Sequence, residues 1–78
     1  MSGRNRVVRS IETPAGERCV DIFVRPDGRF GFAEYRRDVE DPRGWHPAGD
    51  FGDASFASAG DAFRAARRAV AWLGDVAG

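Results

Sequence analysis

The alternation of apolar and polar residues is clearest over Cys19 to Arg25, CVDIFVR, and again over Arg29 to Arg37, RFGFAEYRR. β-branched and aromatic residues at every second position mark strands that are buried on one side. Between the two runs lies Pro26-Asp27-Gly28, with proline at the first central position of a turn and glycine where the backbone needs a positive φ. A three-residue loop with a glycine bulge sets Arg25 opposite Arg29, Val24 opposite Phe30, Phe23 opposite Gly31, Ile22 opposite Phe32 and Cys19 opposite Tyr35. Val20, Ile22, Val24, Phe30 and Phe32 then share an apolar core face. Cys19, Asp21, Phe23, Arg25, Arg29, Gly31, Ala33 and Tyr35 share the other, a polar surface with an aromatic centre where Phe23 lies across the gap at Gly31.

Around this hairpin the pattern weakens. Residues 1 to 17 hold Arg4, Arg6 and Arg9 ahead of any acid and then the turn-rich TPAGE, so they read as a flexible arm in which VVRSI adds at most a short edge strand. After Arg37, DVEDPRG supplies the acids, proline and glycine of a connection. A third extended segment follows from about Trp45 to Phe51 or Phe56, interrupted by Pro47 and Gly49, which places it at an edge or a bulge. The run SAGDAFRAARRAVAWLG has a helical period instead. Ser58 and Asp61 make a start resembling a capping box, Gly74 closes the helix, and Ala59, Ala62, Phe63, Ala66, Ala69, Val70 and Leu73 form its buried stripe. The prediction is an α+β domain over residues 18–76: a three-stranded antiparallel sheet with one C-terminal helix on one face, in the order β-β-β-α.

Composition narrows the function classes. Twelve arginines and no lysine balance twelve acids, so the chain has no net field to attract nucleic acid or an anionic membrane. The arginine-only usage fits a GC-rich coding sequence better than a set selected for phosphate binding. A single cysteine rules out an intrachain disulfide framework, and the opening MSGRNRVVRSIETPAG holds no apolar run long enough for a signal peptide or membrane span. Together these point to a reducing cytoplasm.

Candidate chemistry is sparse. His46 is the sole imidazole, so a general base would start there, yet no nucleophile is obvious unless Cys19 faces it across the sheet. His46 with Asp38, Glu40, Asp41, Asp50 or Asp53 lacks both the multiple His or Cys ligands of a transition-metal site and the spacing of a calcium loop. GDFGDASFASAG is not a phosphate loop, because it has neither the GxxxxGK[ST] lysine nor the GxGxxG spacing. Neither metal nor cofactor is expected. Cys19 reads as a small reduced strand residue, and Arg64, Arg67 and Arg68 as a solvated helix face that complements the helix dipole. Adjacent strand residues point to opposite faces, and we assign Trp45 to the core and His46 to the outside.

Two features exceed that background. Trp72 stands about 180° around a continuous helix from Phe63, which would leave it exposed beside Leu73 and Val76 as a contact point. The sheet face away from the helix sets Phe23 and Tyr35 among Arg25, Arg29 and Arg37, a composition suited to a protein interface or to stacking of bases. Phe23, Arg25, Arg29, Tyr35 and Trp72 are the candidate partner-binding residues.

The run VDIFVRPDGRFGFAEYRRDVEDPRGWHP, with FASAGDAFRAARRAVAWL after it, resembles a group of short uncharacterised bacterial proteins that share an RPDG turn, an EYRRD strand, a GW-P-G segment and an alanine-rich helix ending in WL. That resemblance covers about sixty residues and implies no activity. More weakly, Phe56, Ser58, Asp61 and Ala62 resemble the helix start of integrase-type and plant ethylene-response-type DNA-binding domains, which also have three antiparallel strands and a C-terminal helix. Their sheet lies in the major groove; by that resemblance Arg25 and Arg29 are the positions that would read DNA. The leading expectation is a non-enzymatic interaction module that self-associates or binds a protein partner, with no membrane role. Nucleic-acid binding by the uncovered face, with Arg25, Arg29 and the N-terminal arginines, is the second reading.

Overall fold

The computed structural model describes residues 4–38, 40–49 and 51–77. It is an α+β fold in which an antiparallel sheet of four strands, in the order β1-β2-β3-β4, is covered on one side by two C-terminal helices. The strands are β1 (Arg6–Glu12), β2 (Arg18–Val24), β3 (Phe30–Arg36) and β4 (His46–Pro47); the helices are α1 (Ala59–Ala69) and α2 (Leu73–Ala77).

The β2–β3 hairpin has the register read from the sequence, from Val24 opposite Phe30 through Phe23 opposite Gly31 and Ile22 opposite Phe32 to Cys19 opposite Tyr35. Its turn shows why. Gly28 takes a φ of +86°, its amide donates to the Arg25 carbonyl at 2.9 Å, and the Asp27 carboxylate accepts from the Arg29 amide at 2.9 Å. Proline, aspartate and glycine thus each supply one requirement of the bend.

The strand count departs from three. The segment read as an arm, with VVRSI available as a short edge strand, forms a seven-residue edge strand paired with β2, with a bulge between Val7 and Arg9. The Thr13–Gly16 turn joins the two strands: the Gly16 amide donates to the Thr13 carbonyl at 2.9 Å, and the Thr13 hydroxyl accepts from the Arg18 amide at 3.2 Å. The third extended segment contracts to two residues, followed by an isolated bridge between Phe30 and Phe56. Just past Pro47 the Ala48 amide donates to the Glu34 carbonyl at 2.9 Å, so the proline occupies a position of this edge strand where no amide hydrogen is needed.

The helical region also departs from its expected course. Ser58 caps α1 by accepting from the Asp61 amide at 3.1 Å, but the Asp61 carboxylate turns to Arg64 rather than back to the cap. The helix stops at Ala69, not at Gly74. Val70 leaves it in extended backbone, and Gly74 lies inside the short α2. Ala69, expected in the buried stripe, is exposed, whereas Ala62, Ala66, Val70 and Leu73 are buried.

These residues close on Ile11, Val20, Ile22 and Phe32 to form the core. Alanine at the two central helix positions lets α1 lie close to the sheet, and Leu73 is delivered only because the chain bends at Val70. Phe51 and Phe56 pack on Phe32 with ring centroids 4.7 and 6.1 Å away. The helices and this loop occupy one side of the sheet. Among the described residues the other side carries no helix.

Candidate functional site: the uncovered sheet face

Strand parity puts Val7, Ser10 and Glu12 of β1, Cys19, Asp21 and Phe23 of β2, and Gly31, Ala33 and Tyr35 of β3 on the uncovered face. Two apolar ends flank a polar centre. At one end Val7 stands opposite Phe23, and Val7 is 52% exposed. At the other, Tyr35 lies beside Trp45. Both aromatic rings line a shallow depression of about 210 Å³ with Ser10, Cys19 and Asp21.

The assignment of Trp45 to the core is therefore corrected. Tyr35 pairs with Pro47 and Arg36 with His46, so parity places Trp45 with Tyr35 on the uncovered side and His46 on the helix side. Trp45 is half-buried and covered by the Arg37 guanidinium, whose centre is 4.4 Å from its ring. Arg37 in turn donates to the Gly16 carbonyl through Nε at 3.2 Å and a terminal nitrogen at 2.7 Å. This clamp ties the β3–β4 connection to the β1–β2 turn.

At the other end, Arg25 lies over the Phe23 ring at 5.0 Å and donates to the carbonyls of Phe30 at 3.2 Å and Gly52 at 2.9 Å. Arg29 donates to the Ser55 hydroxyl at 2.9 Å. Both arginines therefore brace the 51–56 loop. Gly31 makes the arrangement fit, because a Cβ there would come within 2.9 Å of the Phe23 ring tip and the Arg25 guanidinium. Gly31→Val is expected to cost about 1–3 kcal/mol in chemical denaturation, as an overpacked site that displaces a hydrogen-bonded guanidinium. An unchanged midpoint would show that Arg25 moves aside freely.

The polar centre closes on itself. Ser10 Oγ donates to Asp21 Oδ1 at 2.7 Å, Cys19 Sγ donates to the same oxygen at 3.2 Å, and Ser10 Oγ lies 3.3 Å from Cys19 Sγ. Burial pushes the Cys19 thiol from an ordinary 9.0 up to about 11; the Ser10 hydrogen bond opposes the rise and the nearby Asp21 carboxylate adds to it. A thiol held protonated is a poor nucleophile at neutral pH. His46 cannot activate it, since the two belong to opposite faces of the sheet.

Cys19 should therefore react slowly with a thiol reagent at pH 7.5, and its rate should rise until about pH 11. Because the folded value exceeds the unfolded one, the unfolded chain loses this proton first, and stability should fall as pH climbs from about 9 toward 11. Stopped-flow labelling against pH checks this. A rate that levels off near pH 8 would contradict it.

Trp72 does not project into solvent. The break at Val70 turns it back onto the sheet, where its indole donates to Glu34 Oε2 at 3.0 Å and its ring packs half-buried against the core. Its position opposite Phe63 holds only for a helix that continues. The five candidate residues thus divide three ways: Phe23 and Tyr35 share the uncovered face, Arg25 and Arg29 brace its rim, and Trp72 lies on the other side. Sequence reading missed Val7 and Ser10 because it gave the first strand no register.

The acids of the β3–β4 connection behave as turn residues. Asp38 accepts from the Glu40 amide at 3.0 Å, and Asp41 accepts from the Arg43 amide at 2.9 Å and pairs with its guanidinium. Arg43 holds the Asp41 carboxyl below the ordinary carboxylate range. Among the described residues no three His, Cys, Asp or Glu side chains gather as metal ligands, and no helix is long and apolar enough to cross a membrane. Asp50 lies outside the described residues.

The chain matches no protein-family model, no curated protein sequence and no solved structure.

Proposed function

We propose that the chain is a non-enzymatic interaction module whose uncovered sheet face docks a second copy of itself. The observation that supports this reading is the contrast on that face. Its central polar groups, Ser10, Cys19 and Asp21, are already paired with one another and Glu12 stands exposed at the edge, while Val7, Phe23, Tyr35 and Trp45 keep apolar surface in contact with water. Only the second kind of surface gains by being covered.

A second copy fits for three reasons. The chain carries no net charge, so two copies do not repel at a distance. It is a two-layer slab of 37 × 31 × 19 Å whose broad side has room for the ~800 Å² per partner of a standard interface. Finally, the face has two apolar ends around a satisfied centre. A copy laid across it by a two-fold axis sets Val7 and Phe23 of each chain over Tyr35 and Trp45 of the other, burying both ends at once.

The same contacts weigh against nucleic-acid binding here, because Arg25, Arg29 and Arg37 are already turned to partners within the fold. Light scattering over a range of concentrations at low and high salt tests the proposal, with a gel shift on mixed DNA and RNA beside it. A dimer that persists at high salt is expected. A salt-sensitive complex with nucleic acid would support the alternative. A monomer that shifts no nucleic acid would overturn both.

A further inference from the structure

On the helix side, one step past the contact between Glu34 and Trp72, three basic side chains stand in a row across adjacent strands. Arg18 of β2 is the direct partner of Arg36 of β3, and Arg36 is the direct partner of His46 of β4. Like charges directly opposed on a sheet are destabilising, so the row stands at a cost that a bound anion would offset.

The fold neutralises it poorly. Glu34 lies 3.8 Å from Arg18, a loose ion pair, and its Oε2 already accepts the Trp72 indole. Asp41 is 3.8 Å from His46 but is held at both oxygens by Arg43. Arg36 pairs with no described carboxylate. All three members of the row line a cleft of about 640 Å³ at this end of the sheet. Its remaining guanidiniums are committed, Arg43 to Asp41 and Arg37 to the Gly16 carbonyl. The donors facing an incoming group are therefore Arg18, Arg36 and His46.

We infer that this cleft binds a compact phosphorylated small molecule through a diphosphate group, with Arg18 and Arg36 as its main donors and His46 at its edge. Strands spaced about 4.8 Å apart spread three heads over roughly 10 Å, more than one carboxylate can span and about the reach of two linked phosphoryl groups. Guanidinium forks match phosphate oxygens geometrically as well as in charge. Glu17, Asp38 and Asp41 also line the walls and oppose any anion, a compact one included, so binding has to come from the guanidinium forks of Arg18 and Arg36. The three donors stand on the helix side, while Arg37, which the cleft shares with the uncovered face, is turned to Trp45 and Gly16; occupancy through Arg18, Arg36 and His46 does not depend on self-association.

Inorganic pyrophosphate is the probe, titrated by calorimetry at low salt into the wild-type chain, R18Q, R36Q and R68Q. Arg68 lies exposed on α1, so R68Q removes the same charge at a distance. Saturable binding is expected, weakened about tenfold or more in R18Q and R36Q and less than about twofold in R68Q. Because R36Q relieves a like-charge pair, it should melt no lower than wild type without ligand, and pyrophosphate should raise the melting temperature of wild type and R68Q but barely that of R18Q or R36Q. Absence of saturable binding would overturn the inference, as would equal losses in R68Q, a large drop in the melting temperature of R36Q, or a short single-stranded RNA that binds more tightly than pyrophosphate.

Discussion

Phe32→Ala is expected to leave the chain largely unfolded at 25 °C. Phe32 is buried at the middle of β3, with Ile22 as its direct strand partner and Phe51 and Phe56 against its ring. Truncating a buried phenylalanine removes its transfer free energy and leaves a cavity, about 3–5 kcal/mol together. A chain of this size holds a net stability of only about 3–5 kcal/mol from a single core. The loss therefore equals most of what is available. The loop cannot fill the space, because Phe51 and Phe56 are fixed from outside by the Phe30–Phe56 bridge and by the hold of Arg25 and Arg29 on Gly52 and Ser55. Circular dichroism during a urea titration reads the result: a native baseline that is short or missing is expected, and a midpoint close to wild type would mean that Phe32 is not the keystone of this layer.

The second large effect concerns association rather than folding. Phe23→Ala should weaken the proposed dimer by about 30-fold or more, the range of an aromatic anchor of roughly 2 kcal/mol or above. The ring lies over Gly31 and under Arg25, so its position is fixed before any partner arrives and little ordering entropy is lost on docking. The monomer should tolerate the change. Phe23 is not among the residues of the core, and Arg25 keeps its two backbone acceptors without the ring. Sedimentation of the variant should thus show a folded monomer at concentrations where the wild type is paired. An unchanged dimer would place the interface elsewhere.

How much of this was legible follows from where local chemistry dictates geometry. The β2–β3 hairpin could be read residue by residue, because Pro26-Asp27-Gly28 fixes its register and the alternation around it is unbroken. That register also contains the opposed pair Arg18 and Arg36, although the pair was not singled out. β1 was harder because Val7 and Val8 fall side by side, and the bulge that accommodates them erases the period of two. The end of α1 gave no sign either, since Val70 breaks the helix with no glycine or proline, and it does so to bury itself and Leu73. The positions of Trp72 and Trp45 followed from such tertiary choices. Trp72 depends on that break, and Trp45 on the two-residue pairing of β4, which no turn signal sets.

The candidate site was accordingly half visible. Phe23 and Tyr35 were placed on one face by parity alone, and that assignment needs only the hairpin. The roles of Arg25 and Arg29 were not accessible in the same way: their acceptors, Gly52 and Ser55, lie 26 or 27 residues along the chain. An arginine beside an aromatic ring looks equally suited to an external phosphate or to a carbonyl of its own fold. Contacts across the chain decide between the two.

The most direct test of the docked face uses Trp45 as its reporter. The chain has two tryptophans, so Trp72→Phe leaves Trp45 as the only one, situated on the uncovered face. If a second copy covers that face, the Trp45 emission should move to shorter wavelength as concentration rises, at low and high salt alike, and Phe23→Ala in the same background should abolish the shift. Emission that stays constant while light scattering reports a dimer would contradict the account, because the copies would then meet through some other surface.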